Sequence, residues 1–231
     1  MRTLIIPCSG QSSRYSTQLP KWLLTHPTGK TMVYEAIQGL PMDTFDLVIF
    51  FALKKHLTEE LTAIIFEEFQ KYNFKLLILE NDTESASDTV SQCIEKLDIN
   101  GEIFIKDSDV YFYTDIVNSN EICTYSLNDC TNITPGNKSY IKMNKDGTVL
   151  TIIEKNVISA NFCCGLYSFS DAKEFVKTYK SIKQENEIYV SHVIFKMILN
   201  GKSFVNSSVK NYIDWGTEID WNTFKKTYEK N

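Results

Sequence analysis

Across the first half of the chain, short apolar runs alternate with amphipathic stretches. Residues 3–7, Thr-Leu-Ile-Ile-Pro, open with a run that predicts a buried strand. Thr31 then precedes Met32, Val33, Ala36, Ile37 and Leu40, one apolar helical face with a threonine placed to cap it. Residues 46–52 are almost continuously apolar and predict a strand buried on both faces. Leu57, Leu61, Ile64, Ile65 and Phe69 fall at helical spacing over 57–72, and residues 75–79 predict another buried strand. A helix over 85–97 and a central strand over Glu102–Lys106 complete the half. Alternation of strand and helix predicts an α/β fold, a mainly parallel sheet flanked by helices.

The pattern changes near residue 121. Residues 122–126, 139–143, 149–154 and Asn161–Phe169 read as strands, with turns at Pro135-Gly136-Asn137 and Asn144-Lys145-Asp146-Gly147. Helices follow over 171–182, over 187–200 with Asn200-Gly201 as the stop, and near 218–229. No repeat, linker or low-complexity segment interrupts this order. The expectation is one domain, 1–231, with halves at 1–120 and 121–231 and a smaller β-rich part in the second.

Composition narrows the partners. A length of 231 residues supports a sizeable core. The formal net charge of -5 argues against a nucleic-acid partner, which would need a basic surface. No apolar stretch approaches the roughly 20 residues of a membrane span. The N-terminal apolar run belongs to the first strand and not to a signal peptide, so a cytoplasmic protein is expected. Cys8, Cys93, Cys123, Cys130, Cys163 and Cys164 form no C-x-x-C, and histidine is scarce, which disfavours zinc and points to reduced, buried thiols. A homo-oligomer is left open.

The candidate chemistry lies at the ends of predicted strands. Behind the first strand, Cys8-Ser9-Gly10-Gln11-Ser12-Ser13-Arg14 forms a loop of small polar residues whose amides can turn towards an anion. Arg14 adds a fixed cationic fork, and Lys21, after Pro20, a mobile ammonium. That combination suits a triphosphate. Asp107 and Asp109 stand at the carboxyl end of the central strand, the edge where open α/β sheets bind ligands. Two close carboxylates call for a cation, and Mg2+ fits because it binds one or two carboxylates together with substrate phosphates. The polar start of the 85–97 helix suits a ligand at a helix N-terminus.

Taken together, Gly10-x-Ser12-Ser13-Arg14, Pro20-Lys21, Asp107-Ser108-Asp109, Glu154-Lys155, Asn161 to Gly165 and Asp214-Trp215-Gly216-Thr217 resemble the ordered motifs of sugar-nucleotide pyrophosphorylases. Ser12 departs from the usual glycine of that signature loop, as in some molybdenum-cofactor nucleotidyltransferases. The resemblance covers nearly the whole chain. It implies a Rossmann-like, GT-A-type fold, with nucleotide binding in 1–120 and acceptor binding in 121–231.

By that resemblance Pro7, Cys8, Ser9, Gly10, Gln11, Ser12, Ser13, Ser85, Ala86, Asp88 and Thr89 would bind the nucleotide. Arg14 would hold the β- and γ-phosphates, and Lys21 would bridge the α-phosphate and the acceptor phosphate. Asp109 and Asp214, assisted by Asp107, would hold Mg2+; Glu154, Lys155, Asn161 and Gly165 would meet the acceptor. The expected reaction joins an NTP, CTP by preference, to a phosphorylated sugar, small polyol or choline-like acceptor for surface polysaccharide synthesis, releasing pyrophosphate. Two alternatives stay open: a metal-dependent GT-A glycosyltransferase, which shares D-x-D but has no need of the Arg14 and Lys21 loop, and a catalytically silent nucleotide-binding regulatory protein.

Overall fold

The computed structural model describes residues 1–10, 15–16, 19–115, 118–130, 133–183 and 186–229. Strands β1 (Arg2–Cys8), β2 (Leu47–Leu53), β3 (Phe74–Leu79) and β4 (Glu102–Lys106) alternate with helices α1 (Met32–Ile37), α2 (Glu59–Phe69) and α3 (Ala86–Leu97). Each helix starts where the sequence offers a cap. Thr31 accepts from the Tyr34 amide, Thr58 from Leu61 and Ser85 from Asp88. β1 pairs parallel with both β2 and β4, and β2 with β3, so the order is β4-β1-β2-β3.

The second half supplies β5 (Val110–Tyr113), β6 (Glu121–Ser126), β7 (Tyr140–Met143), β8 (Val149–Ile153) and β9 (Asn161–Phe169). Then come α4 (Ala172–Ser181), α5 (Val190–Leu199), β10 (Val205–Ser208), β11 (Lys210–Asp214) and α6 (Glu218–Tyr228). β9 runs antiparallel to β4 and β6 and carries the sheet on to β10, while β7 and β8 form a hairpin on β9. Among the described residues, β5 and β11 make a separate antiparallel ribbon.

Period-two alternation in β1 and β2 feeds two cores. Leu4, Ile6, Val48 and Phe50 pack with Val33, Ile37, Ile65 and Phe69 of α1 and α2. On the opposite face, Ile5, Ile49 and Phe51 pack with Val90 and Ile94 of α3, Phe175 of α4 and Ile194 of α5. Each such side chain stabilises the fold by about 1.5–3 kcal/mol, in keeping with a β2 that is apolar and buried at every position. The expectation for residues 75–79 is corrected. β3 is the outermost strand, and of its side chains only Leu79 is buried while Ile78 is 44% exposed. An apolar run marks a strand, but an edge strand lacks a neighbour to cover it. No described helix is long and apolar enough to cross a membrane.

Candidate active site

The carboxyl ends of β1 and β4 open into one cleft of about 530 Å³. β1 delivers Pro7 and Cys8 to it, followed by Gly10. Cys8 is a buried thiol in hydrogen-bonding contact with Ser108, and burial pushes its pKa up, so it is a packing group and not a nucleophile. Beyond the loop, Pro20 leads into a single 3₁₀ turn, Lys21–Leu23. Trp22 and Leu23 are buried and anchor that turn. Their burial leaves the Lys21 ammonium in the cleft, paired with the Asp109 carboxylate.

Behind Asp109 lies a group with no counterpart in the sequence reading. Lys106, the last residue of β4, is fully buried. Its Nζ donates to the carbonyls of Asp107 (2.8 Å) and Val110 (2.7 Å) and stands 4.8 Å from the centre of the Phe112 ring. Burial lowers its pKa, while Asp107 works against that shift. The lysine clips the turn that carries Asp107 and Asp109. Asp107 itself is pushed up to about 6, first by burial and then by the neighbouring Asp109, against the pull of Lys106, Lys138 and Lys21.

The third carboxylate arrives through the β5–β11 ribbon. The Trp215 amide donates to the Asp109 carbonyl at 2.9 Å, and Asp214 stands opposite Val110, so the two acidic strand ends lie side by side. Asp214 accepts from the Gly216 amide at 2.8 Å and from the Lys138 ammonium at 2.6 Å. Both ion pairs are largely buried, with side-chain exposures of 16% and 12% for Lys21 and Asp109 and of 15% and 11% for Lys138 and Asp214.

At the far end, Glu154 follows β8 and accepts from the hydroxyls of Ser139 and Ser191, the latter at 2.6 Å. Lys155 adopts a left-handed backbone (φ +55°) and places its ammonium 2.5 Å from the Tyr189 hydroxyl and 4.2 Å from the centre of its ring. The contact with Tyr189 raises the Lys155 pKa. Gly165, also left-handed, lets Asp107 approach the strand closely.

The cleft thus gathers Pro7, Cys8, Gly10, Lys21, Ala86, Asp107, Asp109, Glu154, Lys155, Gly165 and Asp214. Other expected residues stand outside its lining. Ser9 turns inward to Thr83 and Thr89 at 3.0 and 2.5 Å, tying the β1 loop to α3. Ser85 and Asp88 serve the start of α3, and Asn161 starts β9 opposite Ser126. Gln11, Ser12, Ser13 and Arg14 lie outside the described residues. Besides Lys106, the reading missed Lys138, Ser139, Glu187, Tyr189 and Ser191, all lining the cleft. Lys138 was hidden in a turn, and the last three in a helix read as starting at 187; α5 begins at Val190, with Tyr189 extended as its cap.

Among the described residues no three His, Cys, Asp or Glu side chains converge as a metal cluster. Asp109 and Asp214 nevertheless fit Mg2+ as a pair. Each already faces a cation, and one or two carboxylates suffice where phosphates supply further ligands.

No protein-family model matches the sequence, and no curated protein matches it. Solved structures do. A nucleoside-diphosphate-sugar pyrophosphorylase from Vibrio cholerae RC9 superposes with a TM-score of 0.81 at 18% identity, over 96% of this chain and 99% of that one. The fold is that of the sugar-nucleotide pyrophosphorylases. The inositol-1-phosphate CTP transferase from T. maritima gives 0.78 at 16% identity, over 99% and 94% of the two chains. CTP:phosphocholine cytidylyltransferase from Streptococcus pneumoniae gives 0.72 at 14% identity, over 98% and 99%. In this pyrophosphorylase fold, β1, β4 and the β5–β11 ribbon converge on the cleft.

Proposed function

We propose that the chain is a Mg2+-dependent nucleotidyltransferase that joins an NTP, with CTP favoured, to a phosphorylated small-molecule acceptor and releases pyrophosphate. One observation carries this reading: two lysine–aspartate pairs, Lys21–Asp109 and Lys138–Asp214, face a single cleft. Paired ammoniums and carboxylates suit substrates that bring phosphates and a divalent cation together.

An acceptor phosphate is ionised at neutral pH, so its oxygen attacks the α-phosphorus without giving up a proton to a base. The new P–O bond forms as the bond to the β-phosphate oxygen breaks, and pyrophosphate leaves with that electron pair. What remains for the protein is positioning and charge neutralisation. Lys21 would lie between the α-phosphate and the acceptor phosphate, and Arg14 would hold the outgoing phosphates. Asp109 and Asp214 would hold Mg2+, which when bound supplies Lewis-acid polarisation of the α-phosphate. Glu154, oriented by Ser139 and Ser191, and Lys155 on Tyr189 would meet the acceptor.

By the resemblance Gln11 would bind the nucleotide, and a glutamine amide can offer both donor and acceptor to a cytosine edge, which supports CTP. Two of the similar folds are described as an inositol-1-phosphate CTP transferase and a CTP:phosphocholine cytidylyltransferase. The acceptor would be a phosphorylated sugar, polyol or choline-like alcohol, activated in the cytoplasm for surface polysaccharide synthesis. A screen of pyrophosphate release from the four NTPs across phosphorylated acceptors tests this. CTP is expected to give the highest kcat/KM; a purine nucleotide ahead by about tenfold or more overturns the base assignment. A glycosyltransferase would instead consume a nucleotide sugar and release no pyrophosphate.

A further inference from the structure

We propose that Lys138 is a phosphate-binding residue of this site, parked on Asp214 until the substrates arrive. The inference rests on the transferase reading and extends it to a residue that no motif contains. The Lys138 main chain is pinned from both sides: its amide donates to the Pro135 carbonyl at 3.2 Å, and its carbonyl accepts from the Lys155 amide at 3.0 Å. Only the four-carbon stem is free to swing. It passes the Tyr212 ring, with Nζ 5.6 Å from the ring centre, and ends at Asp214 Oδ2.

One carboxylate oxygen cannot serve an ammonium and a divalent cation equally. When a metal takes Asp214, like-charge repulsion drives Lys138 off, and a largely dehydrated ammonium needs another anion. A phosphate entering the same cleft supplies it. The Lys21–Asp109 pair has the same form, so the resting cleft keeps both Asp109 and Asp214 neutralised by a lysine. A lysine suits this exchange, being a compact charge on a flexible stem; an arginine fork would hold its carboxylate through two parallel bonds.

Calorimetric titrations of wild type, Lys138→Met and Asp214→Asn with Mn2+ alone, and separately with inorganic phosphate alone, test the proposal. Lys138→Met should bind Mn2+ several-fold tighter, because its competitor is gone, and phosphate about 10- to 100-fold weaker. Asp214→Asn, which releases Lys138, should bind phosphate tighter than wild type. In turnover, Lys138→Met should raise the acceptor KM by about tenfold or more and leave the NTP KM within about twofold. A lysine that merely braces Asp214 gives the opposite metal result, weaker or unchanged Mn2+ binding, and that overturns the proposal, as does unchanged phosphate affinity. If Lys138→Met fails to fold, phosphate binding in Asp214→Asn that is no tighter than wild type overturns it. If wild type turns over no acceptor, the transferase reading fails on that ground, while the two binding titrations still decide Lys138.

Discussion

The Asp107 amide donates to the Gly165 carbonyl at 2.9 Å, and the Asp107 carboxyl fills the space where a side chain at 165 would stand. A Cβ on Gly165 would lie 2.5 Å from Asp107 Oδ2 and 2.9 Å from Asp107 Cβ, at a backbone φ of +82°. Gly165→Ala should therefore cost about 2–4 kcal/mol, combining overpacking with left-handed strain. The double variant with Asp107→Ala should regain part of that loss. Urea denaturation of the three variants checks it, and a wild-type midpoint for Gly165→Ala would refute the contact.

Asp109→Asn and Asp214→Asn should lower kcat far more than they lower the melting temperature. Each vacates a proposed metal ligand, while the ribbon keeps its backbone pairing. Chelation of Mg2+ should abolish turnover of the wild type and restore it on readdition. Steady-state rates and melts on the same preparations decide the point; full activity in Asp109→Asn contradicts the metal assignment.

Lys21→Ala should reduce kcat on the order of 10²–10³-fold, as loss of one charge-assisted contact made chiefly in the transition state does. Its turn is anchored by Trp22 and Leu23, so the change should leave nucleotide binding largely intact. Titration with a non-hydrolysable NTP measures the binding. A loss of affinity equal to the loss of rate would assign Lys21 to ground-state binding instead.

Asp107 makes stability depend on pH with a defined sign. Its carboxyl keeps a proton to about 6 in the folded chain, against an ordinary value of 3.8. Its contribution is fully present below the ordinary value and is lost as pH rises through about 6. Asp107→Asn removes that titration, so in metal-free buffer its melting temperature should gain on wild type between about pH 4 and about pH 7. An offset that stays constant across this range would place the titration elsewhere.

Much of this was legible in the residues. Apolar periodicity located β1, β2, β4, β9 and most helices, because burial on one or both faces leaves a direct trace in the pattern. It overstated β3, since a run of apolar residues does not say whether a neighbouring strand covers it. β10 escaped notice because Val205-Asn-Ser-Ser is polar and gains its place from pairing with β6. At the site, Asp107 and Asp109 stood out by their position after a strand, Lys21 by the loop and Pro20 before it, and Asp214 by its resemblance to a known motif. Lys106 and Lys138 did not: a strand-end lysine and a turn lysine look solvated until tertiary contacts bury them.

Nearly half of the chain lies between Asp109 and Asp214, yet the two are joined by a ribbon that, among the described residues, belongs to no larger sheet. The segment from β6 to β10 lies between the two strands of that ribbon in the chain, and through β9 it continues the central sheet beyond β4. Because β9 pairs with β4 and Lys138 pairs with Asp214, that segment braces both acidic strand ends as well as connecting them. The two acidic strand ends meet only when β11 pairs with β5, a contact between distant parts of the chain whose loop-closure entropy must be met before pairing rewards it.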